Sequence, residues 1–176
     1  VICSGDLFDL TLTNGTNGDI VPAGTKYTWT FVPNPAIIGA VNQTVPQNTL
    51  VISQALQNTG TTPTVITYRV TPIAGNGCPG APFNLEVTVK APIVINGEPH
   101  DYNGFGISCF GADDGYIELS PSGGKLPTDP AGYTYSWTGP GGFTATAQNI
   151  YDLAPGTYTV IVGTGNCTQT KTFVIT

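Results

Sequence analysis

The segments that decide the fold are Cys109-Phe-Gly-Ala-Asp-Asp-Gly115, Tyr133-Thr-Tyr-Ser-Trp137, Leu153-Ala-Pro-Gly-Thr-Tyr158-Thr-Val-Ile-Val162 and Gly165-Asn-Cys167. Side chains within these segments follow a period of two, and Gly, Pro, Asn or Asp bounds each segment. This pattern is typical of short, half-buried β-strands joined by tight turns. We therefore expect the second half of the chain to be a small all-β domain.

The first half of the chain repeats this plan in the same order. The shared landmarks are an early cysteine (Cys3 and Cys109), a tryptophan in an aromatic strand (Trp29 and Trp137), a Thr-Tyr-x-Val strand (Tyr68 and Tyr158), a Gly/Asn turn with a second cysteine (Cys78 and Cys167) and an alternating last strand (83–89 and 171–175). Shared, ordered landmarks indicate two domains of one architecture. We predict domains at 1–91 and 92–176, each an immunoglobulin-like antiparallel β-sandwich of about seven strands. The boundary is placed near Lys90-Ala91-Pro92, because a proline without an N–H suits the exit from a strand.

The core of each domain is expected to depend on aromatic side chains, namely Trp29 and Tyr68 in the first half and Trp137 and Tyr158 in the second. Tyr158 directly follows a Pro-Gly turn and begins a strand. That arrangement resembles a tyrosine corner, in which the hydroxyl bonds back to the upstream backbone. No window has convincing helical spacing, and Ile52 to Leu56 is the only weak helix candidate.

The four cysteines allow three pairings. The repeated landmarks favour Cys3–Cys78 and Cys109–Cys167, each bridge fastening the start of a domain to its last hairpin turn. By the loop-entropy argument, each bridge would stabilise its domain by about 4 kcal/mol. Disulfides imply an oxidising compartment, so we expect a secreted or cell-surface protein.

Composition excludes several classes of function. Only 9% of the residues are charged, the net charge is −6, and the five Lys and Arg residues are scattered singly. Without a basic patch, nucleic-acid binding is not expected. The apolar runs are too short to insert into a membrane. The chain has neither an initiator Met nor a signal peptide, so we expect it to be a piece of a longer protein.

An enzyme needs an acid, base or nucleophile placed together with its partners. The single histidine, His100, lies in a polar loop between Glu98 and Asp101, where we interpret it as a solvated loop residue. The carboxylates are spread along the chain. We therefore predict no catalytic site.

Calcium is the cofactor hypothesis that the sequence supports best. Calcium takes about six to eight oxygen ligands, and Asp113, Asp114, Glu98 and Asp101 would supply carboxylates if they converged, with Asp152 as a further candidate. The alternative is that these acids simply bond their own backbone in turns.

Exposed aromatic residues beside polar side chains would allow glycan binding. Tyr102, Phe105 and Phe110 lie in Gly-rich segments, and Phe143 follows Gly139-Pro-Gly-Gly142. The alternative is that these side chains cap the ends of the sandwich or pack across an interface.

The second half resembles an SprB-type repeat over about residues 93–176. The resemblance is carried by Cys109 to Gly115, Gly132-Tyr-Thr-Tyr-Ser-Trp-Thr-Gly-Pro140, Leu153-x-Pro-Gly-Thr-Tyr158 and Asn166-Cys-Thr168. The first half resembles a PKD-like domain, through Ile2-Cys-Ser-Gly5, Val21-Pro-Ala-Gly-Thr-x-Tyr-Thr-Trp29 and Val70-Thr-Pro72. One departure is Gly163-Thr-Gly-Asn-Cys167, where such repeats often carry an Asp, so a carboxylate for an ion site is missing there.

The resemblance implies a repeated, non-catalytic extracellular module of a large surface adhesin of gliding bacteria. Its expected partners are neighbouring repeats of the same polypeptide and surface polysaccharides or other glycans. The alternative hypothesis is a carbohydrate-binding module, free or attached to a secreted enzyme.

Overall fold

Antiparallel β-strands make up nearly all of the regular structure in the computed structural model, which describes residues 1–11, 21–48, 51–129 and 132–176. The chain divides into two units, Val1–Pro92 and Ile93–Thr176, and the predicted boundary segment lies at this division. The predicted all-β, immunoglobulin-like class is confirmed. Among the described residues, no helix has the length and apolar character needed to cross a bilayer.

The first unit contains eight strands in its described part. They are β1 (Leu7–Thr11), β2 (Lys26–Phe31), β3 (Ile37–Ile38), β4 (Gln43–Gln47), β5 (Val51–Ala55), β6 (Gln57–Asn58), β7 (Thr64–Ile73) and β8 (Phe83–Val89). Four of them form a sheet in the order β4-β2-β7-β8, and two further pairs are β1-β5 and β3-β6. The weak helix candidate at Ile52 to Leu56 is wrong, because this segment lies largely in β5, where Ile52 is buried between the exposed residues Val51 and Ser53.

Aromatic residues of β2 and β7 form the centre of the first unit's core. Trp29 on β2 pairs with Val70 on β7, and Tyr68 lies two residues earlier on the same face. All three are buried, together with Ile52 of β5. Since a strand turns alternate side chains to opposite faces, the period of two seen in the sequence directs these residues into one core.

The second unit contains two sheets. Its strands are β9 (Val94–Pro99), β10 (Gly115–Ser122), β11 (Thr134–Thr138), β12 (Thr144–Ala145), β13 (Ile150–Leu153), β14 (Gly156–Thr164) and β15 (Cys167–Ile175), with one 3-10 turn at Pro140–Gly142. A three-stranded sheet has the order β13-β10-β9, and a four-stranded sheet has the order β12-β11-β14-β15.

The core of the second unit repeats the register of the first. Trp137 on β11 pairs with Val160 on β14, and Tyr158 lies two residues before Val160. These residues are buried, as is Phe173, the partner of Tyr158 on β15. The equivalence of the tryptophan, valine and tyrosine positions in the two units explains the internal repeat in the sequence.

The polar atoms of these buried aromatic residues have partners. Trp29 Nε1 donates to the Val41 carbonyl oxygen at 3.2 Å, and Trp137 Nε1 donates to that of Ala147 at 3.0 Å. Such bonds allow an indole to be buried without leaving its N–H unpaired.

Lys171 connects the two sheets of the second unit. Its Nζ donates to the carbonyl oxygens of Ile95 and Gly97 on β9, at 3.3 and 3.0 Å, and lies 3.5 Å from Glu98 Oε1. The stem of Lys171 extends from β15, so one side chain spans from an outer strand of one sheet to an outer strand of the other.

Both predicted cysteine pairings are wrong. Cys3 and Cys167 are disulfide-bonded, whereas Cys78 and Cys109 are free thiols exposed to solvent. Cys3 and Cys167 are both buried. Equivalent positions in a repeat do not require equivalent pairing, because a bridge forms only where the Cα–Cα distance and the Cβ directions allow it.

Candidate binding surface

The outer face of the three-stranded sheet carries exposed aromatic and acidic side chains. On β10, Ile117 and Leu119 are buried, so their neighbours Tyr116 and Glu118 project to the other face. Tyr116 is half-buried and Glu118 is exposed. The strand alternation that builds the core therefore also builds this surface.

A bulge brings Tyr151 onto the same surface. Gly115 pairs with Leu153 and Ile117 pairs with Ile150, so β13 places two residues, Tyr151 and Asp152, opposite Tyr116 alone. Asp152 takes up the extra length with a φ of 56°, a conformation that aspartate tolerates better than most residues. Bulges re-aim side chains, and this one leaves Tyr151 51% exposed.

Four rings form a continuous series, here called the aromatic row, in the order Tyr102, His100, Tyr116 and Tyr151. The ring centroids of Tyr102 and His100 lie 4.5 Å apart in an edge-to-face contact. His100 stacks on Tyr116 at 4.4 Å, and Tyr116 contacts Tyr151 at 5.7 Å. These spacings are typical of favourable aromatic pairs.

His100 is fixed within the row. Its Nδ1 lies 2.7 Å from the hydroxyl of Tyr116, its backbone N–H donates to the Tyr116 carbonyl oxygen at 2.9 Å, and its ring is packed between two tyrosines. The interpretation of His100 as a solvated loop residue is therefore wrong. The contacts give it a positioning role in the surface.

The Tyr151 ring is held at its hydroxyl. This hydroxyl donates to Glu118 Oε1 at 2.9 Å, and Asn149 Nδ2 donates to the hydroxyl at 3.4 Å. The hydrogen bond to the Glu118 carboxylate raises the pKa of Tyr151 above its ordinary value, because it stabilises the protonated phenol. Asn149 is itself fixed, since its Oδ1 accepts from the Leu119 backbone N–H at 3.0 Å.

Acidic side chains surround the other end of the row. Burial raises the pKa of Tyr102, and the charge of Asp114 and the neighbouring Tyr116 add to that rise. Hydrogen bonds from Ser108 hold the pKa of Asp114 below its ordinary value. Tyr102 is thus neutral and Asp114 anionic at neutral pH, so this end of the row combines an uncharged tyrosine ring with a carboxylate.

The acids proposed for calcium do not gather into a site. Asp101 accepts a hydrogen bond from the Gly104 backbone N–H, Asp114 Oδ1 accepts from the Ser108 backbone N–H at 3.0 Å, and Glu98 faces Lys171. Asp113 is exposed. Within the described residues, no three His, Cys, Asp or Glu side chains are grouped to hold a metal ion. The turn-making alternative accounts for Asp101 and Asp114.

A second surface of the same unit is apolar. A cleft of about 730 Å³ is lined by Phe105, Ile107, Cys109, Phe110 and Pro155, among others. Phe110 is fully exposed, and the Cys109 thiol is exposed beside it. The predicted exposure of Phe105 and Phe110 is thus observed, and the polar side chains described in the cleft are those of Ser108, Cys109 and Thr176.

Phe143, also proposed as a glycan contact, packs inside the edge of the sandwich. Its ring contacts that of Tyr158 edge-to-face at 5.3 Å, and it is half-buried. The capping alternative describes Phe143 better than the glycan-contact hypothesis.

Of the predicted glycan contacts, only Tyr102 belongs to the aromatic row. Tyr116, Tyr151 and His100 were not predicted as binding residues. The period of two in Gly115-Tyr-Ile-Glu-Leu119 was a usable signal, since it places Tyr116 and Glu118 on the face opposite the apolar residues.

Comparison with known proteins gives two families. A model of the PKD-like domain matches residues 1–92, and a model of the SprB repeat matches residues 107–142. No curated protein matches the chain.

Solved structures with similar chains include immunoglobulin-domain proteins. The amphioxus IgVJ-C2 molecule is 15% identical, with a TM-score of 0.37, over 100% of this chain and 99% of that one. The three N-terminal domains of the highly immunogenic outer capsid protein of bacteriophage RB49 are 20% identical, with a TM-score of 0.38, over 98% of this chain and 55% of that one. The PKD-like match spans more than half of the chain, so the chain belongs to the PKD-like domain family, and an SprB repeat follows its PKD-like domain.

Proposed function

We propose that the chain is a non-catalytic adhesion module of a large extracellular cell-surface protein, of the kind that serves attachment and gliding. Domains of these families are typically non-catalytic structural modules of surface proteins. The observation that carries the proposal is the aromatic row, which lies on the open outer face of a sheet in the unit that holds the SprB repeat.

The geometry supports contact with a surface. Tyr116 and Tyr151 project from the neighbouring strands β10 and β13, whose opposite faces are buried in the core. Their contact with a surface therefore does not require ordering of a loop. A preorganised surface loses less conformational entropy on binding than a flexible one. The disulfide-bonded state of Cys3 and Cys167 supports an oxidising, extracellular compartment. Neighbouring repeats of the same polypeptide would multiply a weak contact by avidity.

The test is retention under flow. Beads carrying the whole chain are washed over hydrated polysaccharide films, protein-coated glass and bare glass, and the fraction retained is counted. Beads carrying an unrelated immunoglobulin-like sandwich of similar net charge are the control. We expect selective retention on at least one class of surface. Retention equal to the control on every surface would refute adhesion.

The aromatic row also supports a second candidate, a carbohydrate-binding module attached to a secreted enzyme. The two candidates differ in what surrounds the chain in its full reading frame. Many tandem copies and a secretion-sorting tail favour the adhesin, whereas a neighbouring hydrolase domain favours the carbohydrate-binding module.

A further inference from the structure

We propose that the Tyr151 end of the aromatic row binds an internal segment of a neutral polysaccharide made of pyranose units. This inference rests on the proposed adhesive function and names its ligand. The site consists of Tyr151 and Tyr116 as ring surfaces, with Glu118 and Asn149 as hydrogen-bonding groups.

The ring of Tyr151 is suited to packing against the C–H face of a sugar. It is 51% exposed, while Glu118 and Asn149 fix its hydroxyl and Tyr116 supports its ring. An aromatic side chain held in this way offers a large apolar surface at a small entropic cost. A pyranose, apolar on its ring faces and polar at its edges, matches a flat ring bordered by polar groups.

The polar groups beside Tyr151 match sugar hydroxyls. A carboxylate accepts several hydrogen bonds, and the contact from Tyr151 is made to Glu118 Oε1, which leaves acceptor capacity on an exposed group. Hydroxyl donors to a carboxylate make charge-assisted hydrogen bonds, which are stronger than neutral ones. Asn149 adds an amide donor, and the hydrogen bond from the Leu119 backbone N–H holds its side chain in place.

The charge of the site selects among polysaccharides. The chain has a net charge of −6, and Glu118, Glu98, Asp101 and Asp114 lie on or near the row. Like charges disfavour association, so uronate-containing or sulfated polymers are poor ligands. Neutral hydroxyls satisfy the carboxylates without this repulsion.

The shape of the site favours a chain over a terminal sugar. The row of rings runs from the segment after β9 across β10 to β13. Such an open face can accept a polymer that extends past the site on both sides. A single sugar bound at Tyr151 alone would leave the rest of the row uncovered.

The experiment measures binding of the whole chain by affinity electrophoresis in gels containing a mixed-linkage glucan, a xylan, a galactomannan, polygalacturonate or chitosan. The test variants are Tyr151→Ala, Tyr151→Phe and Glu118→Gln. Phe110→Ala is the matched control, because Phe110 is aromatic, fully exposed and in the same unit but outside the row.

We expect retardation by at least one neutral polymer and none by polygalacturonate. Tyr151→Ala should raise the dissociation constant derived from the retardation about tenfold, as expected for the loss of a packed aromatic contact. Phe110→Ala should leave the dissociation constant unchanged. Tyr151→Phe keeps the ring and should therefore lose less affinity for the polymer than Tyr151→Ala. Near-ultraviolet circular dichroism and melting of each variant establish that the fold is retained.

Several outcomes would overturn the inference: no retardation by any neutral polymer, stronger retardation by polygalacturonate, retardation by chitosan alone, or equal loss in Phe110→Ala. The bead assay distinguishes a failure of the polysaccharide-site inference from a failure of the proposed adhesive function. Beads carrying Tyr151→Ala that are retained as well as the wild type would leave adhesion standing and eliminate this site.

Discussion

The hydroxyl of Tyr158 donates a hydrogen bond to the carbonyl oxygen of Ala154, four residues earlier, at 3.0 Å. Pro155 and Gly156 form the turn between them, and Phe143 packs on the Tyr158 ring. Gly139 lies so close that a Cβ there would come within 2.6 Å of that ring. This hydroxyl-to-backbone contact is the tyrosine-corner arrangement expected from the sequence.

Replacing Tyr158 by Phe should lower the free energy of unfolding of the second unit by about 1 kcal/mol, because the partly buried carbonyl oxygen of Ala154 loses its donor. The melting temperature should fall by about 4–8 °C for a unit of this size. Calorimetry of the full chain measures the change.

Tyr68→Phe is the comparison for that variant. Its hydroxyl donates to Gln54 Oε1 at 2.8 Å, and this oxygen also accepts from the Val41 backbone N–H at 2.9 Å. Because the acceptor keeps a partner when the Tyr68 hydroxyl is removed, the loss of stability should be smaller. A larger loss for Tyr68→Phe than for Tyr158→Phe would contradict the role given to the corner.

Trp137 is 1% exposed at the centre of the second unit. Its truncation to Ala should destabilise the unit by about 3–5 kcal/mol, through lost transfer energy and the cavity left behind. Urea unfolding followed by tyrosine and tryptophan fluorescence measures this loss. Ile161→Ala, an exposed position on β14, is the control, with an expected change within about 0.5 kcal/mol. Similar losses for both would show that Trp137 does not anchor the core.

Burial raises the pKa of Tyr68 to about 12. Because the folded state holds this proton more tightly than the unfolded state, stability from this group is complete below pH 10 and is lost between about pH 10 and pH 12. Denaturant unfolding at a series of alkaline pH values should show the decline. In Tyr68→Phe the decline should be shallower, and an unchanged slope would refute the assignment to Tyr68.

The free thiols are directly testable. A maleimide added to the native, unreduced chain should label Cys78 and Cys109, which are exposed, and should leave Cys3 and Cys167 unlabelled, since these are disulfide-bonded. Peptide mass spectrometry identifies the labelled sites. Label on Cys3 or Cys167 before reduction, or none on Cys78 and Cys109, would contradict the structure.

We expect calcium to leave the thermal stability of the chain unchanged. Because Asp101 and Asp114 are engaged with loop backbone and Glu98 faces Lys171, we expect the same melting temperature with calcium and with a chelator at equal ionic strength. A rise with calcium that Asp113→Asn or Asp114→Asn abolishes would instead establish the calcium hypothesis.

Period-two patterns account for the parts of the fold that the sequence predicts well. The alternation around Trp29 and Trp137, and around Tyr68 and Tyr158, specifies which side chains enter each core, since a strand has only two faces. The secondary structure of the short segment at Ile52 cannot be predicted from its pattern, because a few apolar residues fit either a strand or a helix. Its pairing with β1 makes it a strand.

The cysteine pairing and the aromatic row depend on information that is not local. Four cysteines in a repeat leave the connectivity open. Tyr151 and Tyr116 meet only because β13 pairs with β10 and carries a bulge at Asp152, and the bulged residue itself is an aspartate rather than a glycine. His100 joins them from the end of a third strand, so the row is a product of sheet order.

The hydrogen bonds of Lys171 also cover the outer edge of β9. Strands at the margin of a sheet present unpaired carbonyl and amide groups on which another copy of the same sequence can assemble. By donating to the carbonyl oxygens of Ile95 and Gly97, Lys171 occupies two of these acceptors on β9, and a foreign strand would first have to displace a charged side chain. By covering this edge, Lys171 opposes the addition of a further strand and so the aggregation of copies of the chain.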